Sequence, residues 1–125
     1  MTDITSVMKS VMTGAEVPAM VMWSGHDTTL MPFMTALGAS DGKWVPYAST
    51  ILIELWNSPA NQYYVRMIYN GKVLPLAGCP GGLCDYAQYF ALVKPYLVDD
   101  WTAACTASAP PFSPFDQPLD HVKRF

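Results

Sequence analysis

A histidine and an aspartate stand next to each other at His26-Asp27, inside the polar segment Ser24–Thr29. Helical spacing of apolar residues follows, so the segment is a turn that opens a helix. Where such a turn comes after a buried strand of an α/β sheet, it lies at the edge where ligands bind, and the helix N-terminus favours anions. The pair is therefore a candidate anion site. The simpler interpretation is that Asp27 caps the helix and His26 is a polar turn residue.

The elements that must position this turn have the pattern helix, strand, turn, helix. Ala19–Trp23 is apolar on both faces, which predicts a buried central strand. Pro32 is expected in the first turn of the following helix, where its missing N–H is harmless. An amphipathic helix precedes the strand, with Thr2 or Asp3 as its cap and Gly14 at its end; its apolar residues are Ile4, Val7, Met8, Val11 and Met12.

A β-meander is predicted for the middle of the chain. Ser49–Trp56 alternates between two faces, Gln62–Tyr69 forms a second strand, and Asn70-Gly71 is a strong hairpin signal leading into Lys72–Leu74. Another helix is expected after the loop Cys79–Cys84, with Asp85 near its start and Pro95 ending or bending it. Its periodicity is carried by Leu83, Ala87, Phe90 and Val93 or Lys94. Residues 1–106 are read as the folded part, and the proline-rich residues 107–125 as a loose tail.

Two of the three cysteines enclose a short loop with two glycines and a proline, Cys79–Cys84. Such a loop can close a disulfide, which implies an oxidising compartment. Two cysteines do not make a structural zinc site, and neither histidine is at finger spacing. Cys105 is left over, and it either pairs with a cysteine elsewhere or is a buried free thiol.

The composition excludes several classes of protein. The 125 residues are 51% hydrophobic and only 14% charged, which excludes a disordered chain. A net charge of −3 argues against nucleic-acid binding, and no apolar run is long enough to span a membrane. With so few charged residues, much of the surface of the domain would be uncharged. This favours a protein with a large interface, or a chain that is one part of a larger protein.

The segment Ser24–Leu30 resembles the second signature of the histidine acid phosphatases, in which a His-Asp pair follows a buried strand and opens a helix. The resemblance runs from Thr2 to Thr106, and further landmarks occur in the family's order: Pro46-Tyr47-Ala48-Ser49, Glu54-Leu55, Gly78-Cys79 with Cys84, and Asp100-Trp101 with Cys105.

This resemblance implies the C-terminal part of a phosphoglycerate-mutase-like three-layer α/β/α fold, with an added meander and disulfide loop. It implies hydrolysis of phosphomonoesters through a phosphohistidine, without metal or cofactor. His26 would bind the phosphate and Asp27 would be the general acid. The parent would be a secreted or lysosomal protein and often a dimer, although residues 1–6 do not look like a signal peptide.

One departure from the family is large. The first signature, Arg-His-Gly-x-Arg-x-Pro, is absent, and the chain has only the arginines Arg66 and Arg124. The nucleophile would then lie in a missing N-terminal half, which would also hold the partner of Cys105, and this chain alone would be inactive. The alternatives are an inactive truncated family member that binds a partner, and a separate chain that completes an enzyme with another polypeptide.

The remaining candidates have more ordinary interpretations. Glu54 could pair with a cation but is expected to face solvent on its strand. Ser24 lacks the Gly-x-Ser-x-Gly elbow of a serine hydrolase. Asp120-His121 lies in the tail, where it is expected to be solvated. Four aromatic residues could line a pocket, though packing is their more frequent role: Trp44, Tyr47, Tyr63 and Tyr64.

Overall fold

An antiparallel sheet and several helices make up residues 1–106, the part of the chain that this computed structural model describes. The helices are α1 (Thr2–Met12), α2 (Asp27–Ala36), α3 (Tyr86–Val93) and α4 (Trp101–Thr106). The strands are β1 (Ile51–Asn57), β2 (Tyr63–Tyr69), β3 (Lys72–Val73) and β4 (Leu83–Asp85). The tail expected at residues 107–125, with Asp120-His121, lies outside the described residues.

The predicted meander is confirmed. β1 pairs with β2 along its whole length, from Ile51 opposite Tyr69 to Asn57 opposite Tyr63. The turn after β2 has positive φ at Asn70 (47°) and at Gly71 (78°), as a tight two-residue hairpin turn requires. β3 and β4 then pair with opposite ends of β2, which is therefore the central strand of the sheet.

The core lies between one face of the sheet and the helices. Val65 and Met67 of β2 are completely buried, and they pack in a cluster with Met8 of α1, Met34 of α2 and Tyr89 of α3. The opposite face carries alternate residues of β1, of which Leu52 and Trp56 are both 49% exposed. The α/β fold class predicted from the sequence is confirmed, together with the disulfide loop between Cys79 and Cys84.

Two predicted helix details are wrong. α1 begins at Thr2, so neither Thr2 nor Asp3 caps it; the Thr2 hydroxyl instead donates to the Val98 carbonyl (3.4 Å) and accepts from the Val98 N–H (3.2 Å). α2 begins at Asp27, which places Pro32 in the second turn rather than the first. The helix tolerates this proline because the carbonyl that loses its partner belongs to Thr28, which is exposed to water.

The buried strand predicted at Ala19–Trp23 is also wrong. This segment has no strand pairing and is exposed, with Met20 at 70% and Met22 at 79% exposure. An apolar run becomes a central strand only when neighbouring strands take up its backbone hydrogen bonds. No strand within residues 1–106 does so, because the four strands pair with one another. The turn at His26 therefore follows an exposed, unpaired segment.

Candidate active site

The His-Asp pair occupies the first residues of α2. His26 is the N-cap, with extended backbone (φ −116°, ψ 171°), and Asp27 is the first helical residue. The His26 carbonyl accepts the N–H groups of Thr29 (2.9 Å) and Leu30 (3.1 Å), and its own N–H donates to the Thr29 hydroxyl (3.3 Å). These bonds fix the backbone that carries the pair. The predicted helix opening at this turn is confirmed.

The two side chains differ in exposure. His26 is exposed, whereas Asp27 is partly buried. A carboxylate in the first turn is stabilised by the positive end of the helix, so Asp27 also has a structural role there. Its Oδ1 accepts the backbone N–H of Thr28 at 2.7 Å. His26 rather than Asp27 is the N-cap, so the interpretation of Asp27 as the helix cap is wrong, although its side chain does bond within the first turn.

The second oxygen of Asp27 contacts a residue that sequence reasoning did not connect with it. The indole Nε1 of Trp44 donates to Asp27 Oδ2 at 2.9 Å across 17 residues of chain. Trp44 lies in the loop between α2 and β1 and is 66% exposed. No sequence pattern marks this contact, because it depends on the path of an irregular loop.

The other aromatic candidates do not bond to the pair. Tyr47 is fully exposed, and the Tyr64 hydroxyl donates to Gln62 Oε1 at 3.1 Å. Tyr63 stands at the start of β2 opposite Asn57. Among these four aromatic residues, only Trp44 hydrogen-bonds to His26 or Asp27 within the described chain.

Glu54 belongs to a separate cluster on the outer face of the sheet. Its Oε2 accepts from Arg66 Nε at 2.7 Å and from Trp56 Nε1 at 3.0 Å, and the Arg66 guanidinium lies over the Trp56 ring, 5.1 Å from its centre. The Arg66 hydrogen bond, and then that of Trp56, holds the pKa of the Glu54 carboxyl group below its usual value. Glu54 is therefore an ionised partner in a cross-strand pair.

The cysteines fall into two groups. Cys79 and Cys84 form a disulfide with their Cα atoms 4.8 Å apart, as the loop predicted. Cys105 is exposed on α4 and has no disulfide partner among residues 1–106. The alternative of a buried thiol is therefore wrong for the described structure.

No three His, Cys, Asp or Glu side chains of residues 1–106 gather closely enough to hold a metal ion. None of the helices in this part of the chain is long and apolar enough to cross a membrane.

Comparison with known proteins defines the family. The sequence model of the histidine phosphatase superfamily (branch 2) matches residues 1–70, and the chain belongs to this superfamily. The match includes α1, the His-Asp turn, α2 and the first two strands. The resemblance stated from the sequence is confirmed.

Its relatives include acid phosphatases. The chain is 35% identical over 80 residues to lysophosphatidic acid phosphatase type 6 of Mus musculus (63% of this chain, 19% of the relative) and 30% identical over 105 residues to lysosomal acid phosphatase of Homo sapiens (79% and 25%). Counting factor 60 of Dictyostelium discoideum is 27% identical over 110 residues (88% and 26%). The chain thus spans about a quarter or less of the length of these relatives.

Proposed function

We propose that this chain supplies the phosphate-binding and proton-donating residues of an acid phosphatase that hydrolyses phosphomonoesters through a phosphohistidine. The observation that carries the proposal is the placement of His26 and Asp27 at the first turn of α2, in a chain of the histidine phosphatase superfamily. The helix N-terminus and the imidazole N–H together favour a phosphate beside the carboxyl group.

Each residue has a defined part in the reaction. A histidine nitrogen attacks phosphorus, a nitrogen–phosphorus bond forms, and the ester phosphorus–oxygen bond breaks. Protonated Asp27 gives its proton to the departing alkoxide, which leaves as the alcohol. In the second half of the reaction, the oxygen of a water molecule attacks phosphorus while the Asp27 carboxylate takes a proton from that water. The nitrogen–phosphorus bond breaks, which releases the histidine and inorganic phosphate. His26 donates a hydrogen bond to a phosphate oxygen throughout.

The proposal needs a nucleophile from outside this chain. The two histidines of this chain are His26 and His121, and neither stands in an Arg-His-Gly-x-Arg-x-Pro sequence. We therefore propose that these residues are the C-terminal part of a longer enzyme and are inactive alone. In the same proposal, the missing half carries the disulfide partner of Cys105.

The relatives support a substrate class and a compartment. Two are phosphatases named for lysophosphatidic acid and for the lysosome. With the Cys79–Cys84 disulfide, they favour phosphomonoester hydrolysis in an oxidising or lysosomal lumen. A homodimer of the parent enzyme is part of the same proposal.

A series of substrates with different leaving groups tests the role of Asp27. The enzyme to use is the full-length polypeptide that contains this chain. Loss of a general acid slows the release of a basic alkoxide far more than that of an acidic phenoxide, which needs no proton. We expect Asp27→Asn to lower kcat/KM, which covers the steps up to release of the leaving group, about 10²- to 10⁴-fold for an alkyl phosphate and much less for p-nitrophenyl phosphate.

Asp3→Asn is the matched control, because Asp3 is an exposed aspartate in the first turn of another helix. It should leave both substrates unaffected. Equal losses of kcat/KM on both substrates with Asp27→Asn, or no loss, would show that Asp27 is not the proton donor.

A further inference from the structure

The loop that carries Trp44 is anchored on both sides of the ring. The next residue, Val45, is only 5% exposed and packs in the core. Before the ring, the Ser40 hydroxyl accepts the Gly42 N–H (3.2 Å) and the Asp41 carboxylate accepts the Lys43 N–H (3.0 Å). The backbone on both sides of Trp44 is therefore fixed independently of the contact with Asp27.

The Trp44 ring contributes little to packing. Trp44 is 66% exposed, which is unusual for so large an apolar residue, and the one polar group of its side chain, the indole N–H, donates to Asp27. An indole N–H can donate but cannot accept, so it can bond to a carboxylate oxygen and, more weakly, to the carbonyl oxygen of a protonated carboxyl group. The contact can thus persist through a proton transfer.

Two donors from different elements hold Asp27. The Thr28 N–H of α2 reaches Oδ1 at 2.7 Å, and the Trp44 indole of the loop reaches Oδ2 at 2.9 Å. With one donor on each oxygen, the carboxyl plane cannot rotate freely about its terminal torsion, which is otherwise a soft one. Removing the indole donor releases that torsion and leaves the helix bond intact.

We propose that Trp44 is a positioning residue that fixes the orientation of the Asp27 carboxyl group through its indole N–H. The role rests on the proposed function of Asp27 as the proton donor. Proton transfer requires the carboxyl group within hydrogen-bond reach of the leaving oxygen, and a small misplacement of a reacting group can cost about 10²-fold in rate.

Kinetics of the full-length polypeptide test whether loss of the indole donor slows proton transfer from Asp27. Trp44→Phe keeps an aromatic ring and removes only the donor. We expect it to lower kcat/KM for an alkyl phosphate about 10- to 100-fold, and kcat/KM for p-nitrophenyl phosphate much less. Trp56→Phe is the matched control, because Trp56 makes the same kind of indole–carboxylate bond to Glu54 on the outer face of the sheet.

Indole N–H resonances of the ¹⁵N-tryptophan-labelled polypeptide test the contact itself. The Trp44 and Trp56 signals are identified by their loss in the two phenylalanine variants. Asp27→Ala should shift the Trp44 signal and leave the Trp56 signal unchanged. Glu54→Ala should shift the Trp56 signal and leave the Trp44 signal unchanged. A Trp44 signal that does not respond to Asp27→Ala would overturn the proposal.

The kinetic outcomes separate the two proposals. If Asp27→Asn shows the leaving-group effect and Trp44→Phe behaves like the unmodified enzyme, the positioning role is refuted and the proposed function stands. If Asp27→Asn shows no leaving-group effect, both fail. A leaving-group effect in both variants, with Trp56→Phe unchanged, supports both.

Discussion

Replacing Gly82 with alanine should destabilise the contact between the disulfide loop and the hairpin. Gly82 lies buried just before β4, with φ +75°, a conformation that costs an alanine about 1–2 kcal/mol. An added Cβ would also overlap the Cγ1 atom of Val73 in β3. Overpacking of this kind costs about 1–3 kcal/mol. We expect Gly82→Ala to lower the free energy of unfolding by about 3 kcal/mol, as the sum of these two effects.

Urea denaturation followed by tryptophan fluorescence measures this loss. Gly81→Ala is the control, because Gly81 has a similar φ of +67° but open space where its Cβ would stand. Gly81→Ala should lower the free energy of unfolding only by the cost of placing an alanine at positive φ, about 1–2 kcal/mol. Val73→Ala in the Gly82→Ala background should restore most of the stability that is lost to overpacking. The double-mutant cycle isolates this coupling energy between positions 73 and 82. Equal losses for the two glycine variants, or no coupling with Val73, would refute the overlap.

Three further predictions concern stability. Burial, and then the neighbouring Tyr86, raises the pKa of Tyr89 from 10.0 to about 12. Because the unfolded chain ionises first, the free energy of unfolding should fall by about 3 kcal/mol as the pH rises from 10 towards 12, and Tyr89→Phe should flatten that loss in pH-dependent urea titrations. Asp85→Ala removes the cap bond to the Ala87 N–H (2.8 Å) and should cost about 1 kcal/mol in the same assay, whereas Asp85→Asn should cost much less. Met67→Ala empties a fully buried site and should cost about 2–5 kcal/mol; a loss below 1 kcal/mol would show that the core closes over it.

Local patterns predicted much of this fold. The alternation of β1 and β2 and the Asn70-Gly71 turn depend on neighbouring residues, so they could be read directly from the sequence. The helix start at His26-Asp27 was visible for the same reason. The disulfide followed from a loop too short to place Cys79 and Cys84 far apart.

The errors occurred where structure depends on distant partners. Ala19–Trp23 has the composition of a central strand, but pairing needs neighbouring strands that residues 1–106 do not provide. The bond between Thr2 and Val98 joins residues 96 positions apart and replaces the expected cap. β4 is only three residues long, and a strand so short has no periodicity to distinguish it from the start of a helix.

The candidate site shows the same division. His26 and Asp27 were found because they are adjacent in the chain and start a helix. The sequence marks the third residue, Trp44, only as one of several aromatic residues. Its bond to Asp27 is set by the loop from Ser40 to Val45, and a tryptophan in a loop carries no signal of the carboxylate it meets.

The measurement that tests the central claim most directly compares two polypeptides on p-nitrophenyl phosphate. One is the 125-residue chain, and the other is the product of the same reading frame followed upstream of the Met1 codon. We predict that the frame continues into an Arg-His-Gly-x-Arg-x-Pro sequence, that the longer product hydrolyses the ester, and that the short chain does not. A stop codon directly upstream of Met1, or turnover by the short chain alone, would contradict the account.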